Sequence, residues 1–404
     1  AILKQTRMAM KENKFTKEQL RIKAIELHSN KWKVTEICIA LNCSRKWFYK
    51  WLKRYQTYQT VHSNNSQWYL EKSRRPKTRE KKIDSHTEQL IIETRKQLML
   101  SPFMQYGPQA IYYSLEMRGI APPPVWSIAR ILKQSKITHR KKIESYIPKG
   151  KKYPYEYVLS HQMDFAGPRY LYSKTRFYFH NLICCDTHYA QAIAFDSQES
   201  TNVCNSLIRF WKTAGVPDYL QMDNDLAFWG SLNKPNALGK VIRLCLMNKV
   251  TPVFIPIREP WRNGVIEHFN NKMQSAVLNS DKFENIEQIQ KAADHFCQVH
   301  NQHHYYSSQE GMTPKQRRIH LNYPIVTLGD DYSLPTGRLP LKDGQIHVIR
   351  FVRSDLKFNI FGLSFTLPQE AIYEYIKGVI ITEKHLLKIF KEQKLITEFR
   401  FQLY

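Results

Sequence analysis

A chain of 404 residues with 61 Lys and Arg against 35 Asp and Glu carries a formal charge of +26, and charge on that scale calls for a polyanionic partner. Seven scattered cysteines form no C-x-x-C pair, which suits a reducing compartment and excludes a disulfide scaffold or a zinc finger. No apolar run is long enough to span a bilayer and residues 1–10 lack the apolar core of a signal peptide, so a cytoplasmic protein is expected, nucleoid-associated in a bacterium.

The basic excess is an N-terminal property: residues 1–154 hold 33 of the Lys and Arg against 11 of the acids, leaving 28 against 24 for the rest. Nucleic acid fits this better than an anionic membrane, since neither a lipidation signal nor a long basic amphipathic helix is present. The chain opens on Ala1, so the biological start is expected elsewhere, with Met8 and Met10 as candidates.

Thr16 with Gln19 reads as a capping box, after which Leu20, Ala24 and Leu27 line one face of a first helix. A second helix is expected over Val34 to Leu41 and a third, capped by Ser44, over RKWFYKWLKRY. On the third, Phe48, Leu52 and Tyr55 can turn inward, leaving Arg45, Lys46, Tyr49, Lys50 and Lys53 outside. Residues 1–57 thus suit a helix-turn-helix module whose last helix enters the major groove, or a plain three-helix bundle with a solvated basic face. Residues 58–84 are polar and basic, a linker whose Arg74 and Arg75 either reach a minor groove or only space the modules.

A second helical set is expected over residues 85–136: His86 to Met99, Gln109 to Arg118 behind Gly107-Pro108, and VWSIARILKQ behind Pro122-Pro123-Pro124. Its last helix offers Ser127, Arg130 and Lys133 outward and Ile128, Ile131 and Leu132 inward, a second helix-turn-helix pattern. Residues 137–154 form another basic linker.

From Tyr153 the composition changes. Strands are expected over Tyr157 to Phe165, Phe177 to Cys185 and Tyr189 to Phe195, with Asp186 in the turn between the last two. A helix over Asn202 to Ala214 closes at Gly215; the short strand Tyr219 to Met222, a helix Ala237 to Met247 and a strand Val253 to Ile257 follow. Next, Asn263 can cap a helix burying Val265, Ile266, Phe269, Met273 and Val277, with Glu267 on its opposite side. This order suits a mixed sheet covered by helices on both faces within residues 155–320, a helical extension from Leu278 to His304 included. Residues 328–404 alternate in short segments and read as a small β-barrel or open sheet, on which Arg350 and Arg353 can meet phosphate or line a charged outer face.

Asp164 ends the first of the core strands, Asp223 ends the fourth, and Glu267 sits early on a later helix. If strands one and four are neighbours, both aspartates emerge at one edge, where a packed helix can add the glutamate. Hard oxygen donors with room for water suit Mg²⁺ or Mn²⁺. Two such ions about 4 Å apart serve in-line displacement at a phosphodiester. The segments HQMDFAG, YLQMDND and PWRNGVIEHFNN resemble the three signatures of the DDE integrase and transposase superfamily, specifically insertion-sequence transposases with a retroviral-integrase-type core. SRRPK, GPQAIYYSL, HNQHH from His300 and Thr313-Pro314 are similar to that group's pattern as well.

The resemblance implies a ribonuclease H-like core and a metal-binding triad of Asp164, Asp223 and Glu267 holding two Mg²⁺ or Mn²⁺ ions. It implies metal-dependent cleavage at transposon ends and attack of the freed 3′-OH on target DNA. Terminal repeats and target DNA are the implied partners, with a homo-oligomer pairing two ends and room for an accessory ATPase. Two departures stand out. Asp225 occupies the place where the family has glycine after Asp-Asn, as bystander, substitute ligand or mark of lost activity. The gap from Asp223 to Glu267 is 43 residues, whereas Glu259 would give the family's usual 35. Glu267 is preferred for its helix and its NGVIE context, the extra length being placed in the loop from Gly230. His303-His304 lacks a cysteine pair and reads as loop or DNA contact, and without a Gly-rich phosphate loop an intrinsic nucleotide hydrolase is not expected. A DNA-binding regulator with a decayed core, or a structure-specific nuclease, are the alternatives.

Overall fold

The computed structural model describes residues 15–61, 67–71, 83–138, 152–231, 233–234, 236–279 and 283–404, in two compact units, residues 1–82 and 83–404. Arg74 and Arg75 lie outside the described residues.

The first unit holds α1 (Lys17–Ser29), α2 (Val34–Ala40) and α3 (Arg45–Val61). The Thr16–Gln19 capping box forms in both directions, and Ser44 accepts the Trp47 N–H at 3.1 Å. Ala24, Leu27, Ile37 and Phe48 make the core. Trp51 is buried with them because the Arg21 guanidinium lies 4.1 Å over its ring. α3 outlasts the expected end at Tyr55, and residues 67–71 return to the module: Arg21 donates to the Tyr69 carbonyl at 2.6 Å and pairs with Glu71 at 3.1 Å. Part of the expected linker therefore packs as structure.

In the second unit α4 (Ser85–Leu100), α5 (Pro108–Met117) and α6 (Val125–Gln134) close over Ile91, Ile111, Leu115, Ile128 and Leu132. The connection after α4 is seated on the core: Phe103 packs edge-on against Phe296, and its carbonyl accepts from His304 at 2.7 Å. Tyr113 stacks on Tyr305.

The core contributes β1 (Ser160–Tyr170), β2 (Arg176–Cys184), β3 (Ala190–Phe195), α7 (Ser200–Ala214), β4 (Tyr219–Met222), α8 (Leu226–Trp229), α9 (Lys240–Met247) and β5 (Thr251–Phe254). α10 (Gly264–Met273) follows a short 3-10 turn and runs into a π-helical turn, Gln274–Leu278. α11 (Ile286–His303) and α12 (Pro314–Ile319) complete the helical part. The C-terminal strands are β6 (Gln345–Phe351), β7 (Lys357–Ile360), β8 (Leu363–Thr366), β9 (Tyr375–Ile381), β10 (Leu386–Lys391) and β11 (Lys394–Arg400).

Among the described residues, nine strands form one mixed sheet in the order β11-β10-β9-β6-β5-β4-β1-β2-β3, with β1, β4, β5 and β6 mutually parallel where they pair. Period-two alternation on β2 splits the core: Leu182 faces the cluster of α7 and α9, and Phe179 and Ile183 face that of α10 and α11. α7 buries Val203, Leu207, Phe210, Trp211 and Ala214 as its spacing predicts, and Gly215 ends it at φ +99°.

Of barrel and open sheet, the C-terminal strands adopt the open arrangement. β6 pairs with β5 at Val253–His347 and Phe254–Val348, covering an edge that would otherwise expose unpaired backbone groups. Ile346, Val348, Phe358, Ile376 and Leu387 then join Phe254 in one apolar cluster, so the segment shares the core's interior. Gly378 is small because Phe358 crosses it: a Cβ there would sit 2.7 Å from the ring. β10 and β11 join through a turn at Glu392, φ +53°, that has no Gly, Asn or Asp to announce it in the sequence.

Candidate active site

The parallel β1–β4 pair aligns Ser160 with Tyr219, His161 with Leu220 and Gln162 with Gln221. Carried two residues on, past the last residue of β4, the same offset brings Asp164 to Asp223, and the Asp223 charge is felt at the Asp164 carboxyl. Burial, and next the charge of Asp223, push the Asp164 carboxyl up to about 7, with a smaller push from Glu267. Burial raises Asp223 too, against a 3.0 Å hydrogen bond from the Asp225 N–H; Glu267 is raised by burial alone.

α10 reaches this edge through neutral side chains that sequence reasoning passed over. Asn263 is buried and does not cap the helix. Instead it accepts from Gln221 at 2.9 Å and donates to the Met163 carbonyl, while Gln221 also donates to the Arg262 carbonyl at 2.7 Å. The cap comes from another strand: Gln162 accepts the Ile266 N–H at 3.0 Å. Further along, Asn270 donates to Asp164 at 2.8 Å and accepts from Asn181 of β2 at 2.7 Å. Ile266, Phe269 and Met273 bury the opposite face. A glutamine two residues before each aspartate is the signal that could have revealed the clamp, because period two puts it on the aspartate's side of the strand.

Glu259 is engaged elsewhere. Its carboxylate pairs with Arg262 at 2.9 Å and accepts from the Tyr375 hydroxyl of β9, and the Arg262 guanidinium lies 4.2 Å over the Tyr153 ring. Asp225 caps α8, accepting the Ala227 N–H at 2.7 Å.

Three carboxylates in this region offer hard oxygen donors, and the share of Asp164's raised proton affinity that comes, after burial, from the Asp223 charge is a repulsion that a cation would relieve. The donor set therefore fits Mg²⁺ or Mn²⁺. Among the described residues no three His, Cys, Asp or Glu side chains are gathered closely enough to hold a metal as they stand.

The expected DNA-facing residues divide. Arg45, Lys46, Tyr49, Lys50 and Lys53 are all exposed along α3. On α6, Arg130 and Lys133 are exposed, Arg130 lying over the ring of the exposed Trp126 at 5.6 Å. Ser127 is a correction: at 3% exposure it belongs to the buried face beside Ile128 and Ile131, the α6 stripe being one residue wider than its large apolar side chains suggest. His304, expected in a loop or at DNA, is buried on the Phe103 carbonyl and its imidazole is lowered to about 4 by burial. Arg350 also turns inward, while Arg353 is exposed.

A mixed sheet of this order, with helices on both faces and a helical DNA-binding module ahead of it, is the ribonuclease H-like integrase type of core. Residues 15–60 match the family model of a homeodomain-like domain and residues 248–314 that of an integrase core domain. The second match runs from β5 past α11 and includes Glu267; Asp164 and Asp223 precede it. Together these matches support a place for the chain in the DDE integrase/transposase superfamily and a DNA-processing function of the transposase/integrase type. Among solved structures, the chain resembles the HTLV-2 integrase catalytic core domain in complex with magnesium, at 16% identity over 39% of this chain and 93% of that one, TM-score 0.29. It also resembles the simian T-cell lymphotropic virus intasome in complex with PP2A regulatory subunit B56 gamma, at 14% identity over 72% and 98%, TM-score 0.36. The catalytic core domain of BIV integrase gives 14%, 40% and 94%, TM-score 0.30. No curated protein matches the sequence. Among the described residues no helix is long and apolar enough to cross a membrane.

Proposed function

We propose that the protein is a DNA transposase that cleaves at the ends of its element and joins the freed 3′-OH to target DNA. The observation carrying this reading is the register that sets Asp164 beside Asp223, with the Glu267 helix clamped by Gln162 and Gln221 onto the same two strands. Asp164, Asp223 and Glu267 are the residues that would hold two Mg²⁺ or Mn²⁺ ions. When bound, such ions activate the attacking oxygen and stabilise the leaving one. Asn270 keeps the Asp164 carboxylate turned toward α10 by a hydrogen bond to one of its oxygens.

Residues 1–57 and 85–136 serve as the DNA-binding modules, with Arg45, Lys46, Tyr49, Lys50 and Lys53 on one and Arg130 and Lys133 on the other. Terminal repeats and target DNA are the partners, and two ends must be paired, so the active form is a homo-oligomer.

The reaction itself is the test. With a DNA fragment carrying the sequences that flank the gene on either side and a supercoiled target plasmid, joined product is expected with Mg²⁺ and none from Asp164→Ala. Nicking without joining would turn the reading to a nuclease, and specific binding without nicking to a regulator.

A further inference from the structure

Arg350, the next-to-last residue of β6, is 7% exposed and turns its guanidinium inside the protein. It donates to the Ile349 carbonyl at 2.8 Å, the Asn359 carbonyl at 2.9 Å, the Ile255 carbonyl at 3.1 Å and the Asn224 side-chain oxygen at 2.7 Å. All four acceptors are neutral. Burying a cation on neutral oxygens is costly, and an aliphatic side chain would fasten β6 to its neighbours by packing alone. What an aliphatic residue cannot do is collect acceptors from separate segments, for which the five-donor fork of Arg is suited. The segments collected are the β7 strand, the end of β5 and the turn after β4.

The last of these bears on the site. Asn224 follows Asp223 directly, and its side chain is held at both ends: the oxygen by Arg350, the amide nitrogen by the Ile255 carbonyl at 2.8 Å. Its own carbonyl accepts from the Trp229 indole at 3.3 Å. Among the described residues, the Asp223 carboxylate has only the Asp225 N–H, within the same turn, to orient it. Its direction thus follows the backbone of Asp223-Asn224-Asp225, and that backbone is fixed through Asn224.

We propose that Arg350 is a positioning residue for Asp223, acting through Asn224, so that the C-terminal strands complete the metal site although they supply no ligand. The inference rests on the reading of Asp223 as a metal ligand. Residues of this kind, one contact removed from a ligand, typically alter metal affinity by about 10- to 100-fold.

The test is Mn²⁺ binding to the full-length protein without DNA, read by the electron paramagnetic resonance of free Mn²⁺, for wild type, R350M, N224A, R350M/N224A and D223N. Wild type is expected to bind, D223N to lose the site, and R350M and N224A each to weaken binding by about tenfold or more. The double variant is expected to be no weaker than the worse single one, because both remove one link; a merely structural Arg350 would not give that coupling. Wild-type affinity in R350M or N224A, or losses that multiply in the double variant, would overturn the positioning role and leave the metal site standing. Wild-type affinity in D223N would instead sink the metal-site reading and the positioning role with it. If R350M does not fold, N224A decides alone, since it removes the same contact from a half-buried residue.

Discussion

Gln162 and Gln221 face each other across the parallel β1–β4 pair, and both reach beyond the sheet to the same helix start. Gln162 accepts the Ile266 N–H, and Gln221 donates to the Arg262 carbonyl and the Asn263 side chain. Two strands and one helix therefore share a polar joint beneath the carboxylates.

Breaking this joint should cost stability and activity together. Gln162→Leu leaves the Ile266 N–H buried without its acceptor, a loss of about 1–3 kcal/mol. Urea denaturation is expected to show it at unchanged m, with joining activity reduced more steeply than DNA affinity. A variant as stable as wild type would mean that water or another side chain takes over the cap.

Glu259 and Glu267 should respond oppositely to conversion to Gln. E267Q is expected to abolish Mg²⁺-dependent joining at wild-type stability. E259Q, which weakens the buried-edge pair with Arg262 and the contact with Tyr375, is expected to remain active but melt earlier. An inactive E259Q beside an active E267Q would reverse the assignment.

Asp164 sets a pH signature for the metal-free protein. Its folded-state carboxyl titrates at about 7, above the ordinary value of about 3.9 for an unfolded aspartate. Between those values the folded state binds more protons than the unfolded, so stability falls as pH rises through that window. In chelator, the stability of wild type relative to Asp164→Asn should decline from pH 4 to pH 7, and Mg²⁺ should restore part of it at pH 8. Identical pH slopes for the two proteins would refute the assignment.

The basic faces predict salt behaviour. Lys50→Ala and Lys53→Ala are each expected to lower the slope of log affinity against log salt by about 1 on any duplex, as loss of a phosphate contact does. Arg130→Ala should weaken binding as well. Ser127→Ala, on the buried face, should leave affinity unchanged, whereas Ser127→Lys should unfold the α4–α6 module, seen as lost helical circular dichroism.

The sequence by itself determined the elements and the chemistry on them. The short strand Tyr219 to Met222, helical spacing from Val203 to Ala214 and the capping box at Thr16 are local properties, fixed within a few residues by φ/ψ preference and by which face must leave water. Asp223 at the end of a strand and Glu267 at the start of a helix were legible for the same reason, as was the basic face of α3, whereas Asp164, expected at a strand end, lies within β1, which runs on to Tyr170. Contacts between distant segments were decided only in the tertiary structure. That Gln162 rather than Asn263 caps α10, that Ser127 faces inward, that Glu259 is held by Tyr375 and that β6 joins β5 each depend on what packs alongside, and a side chain's own position in the chain carries no record of that neighbour. Arg350 shows the limit best. Its place on an alternating strand is equally compatible with an outer charged face, and only the pairing of β6 with β5 turned it inward, onto the residue next to Asp223.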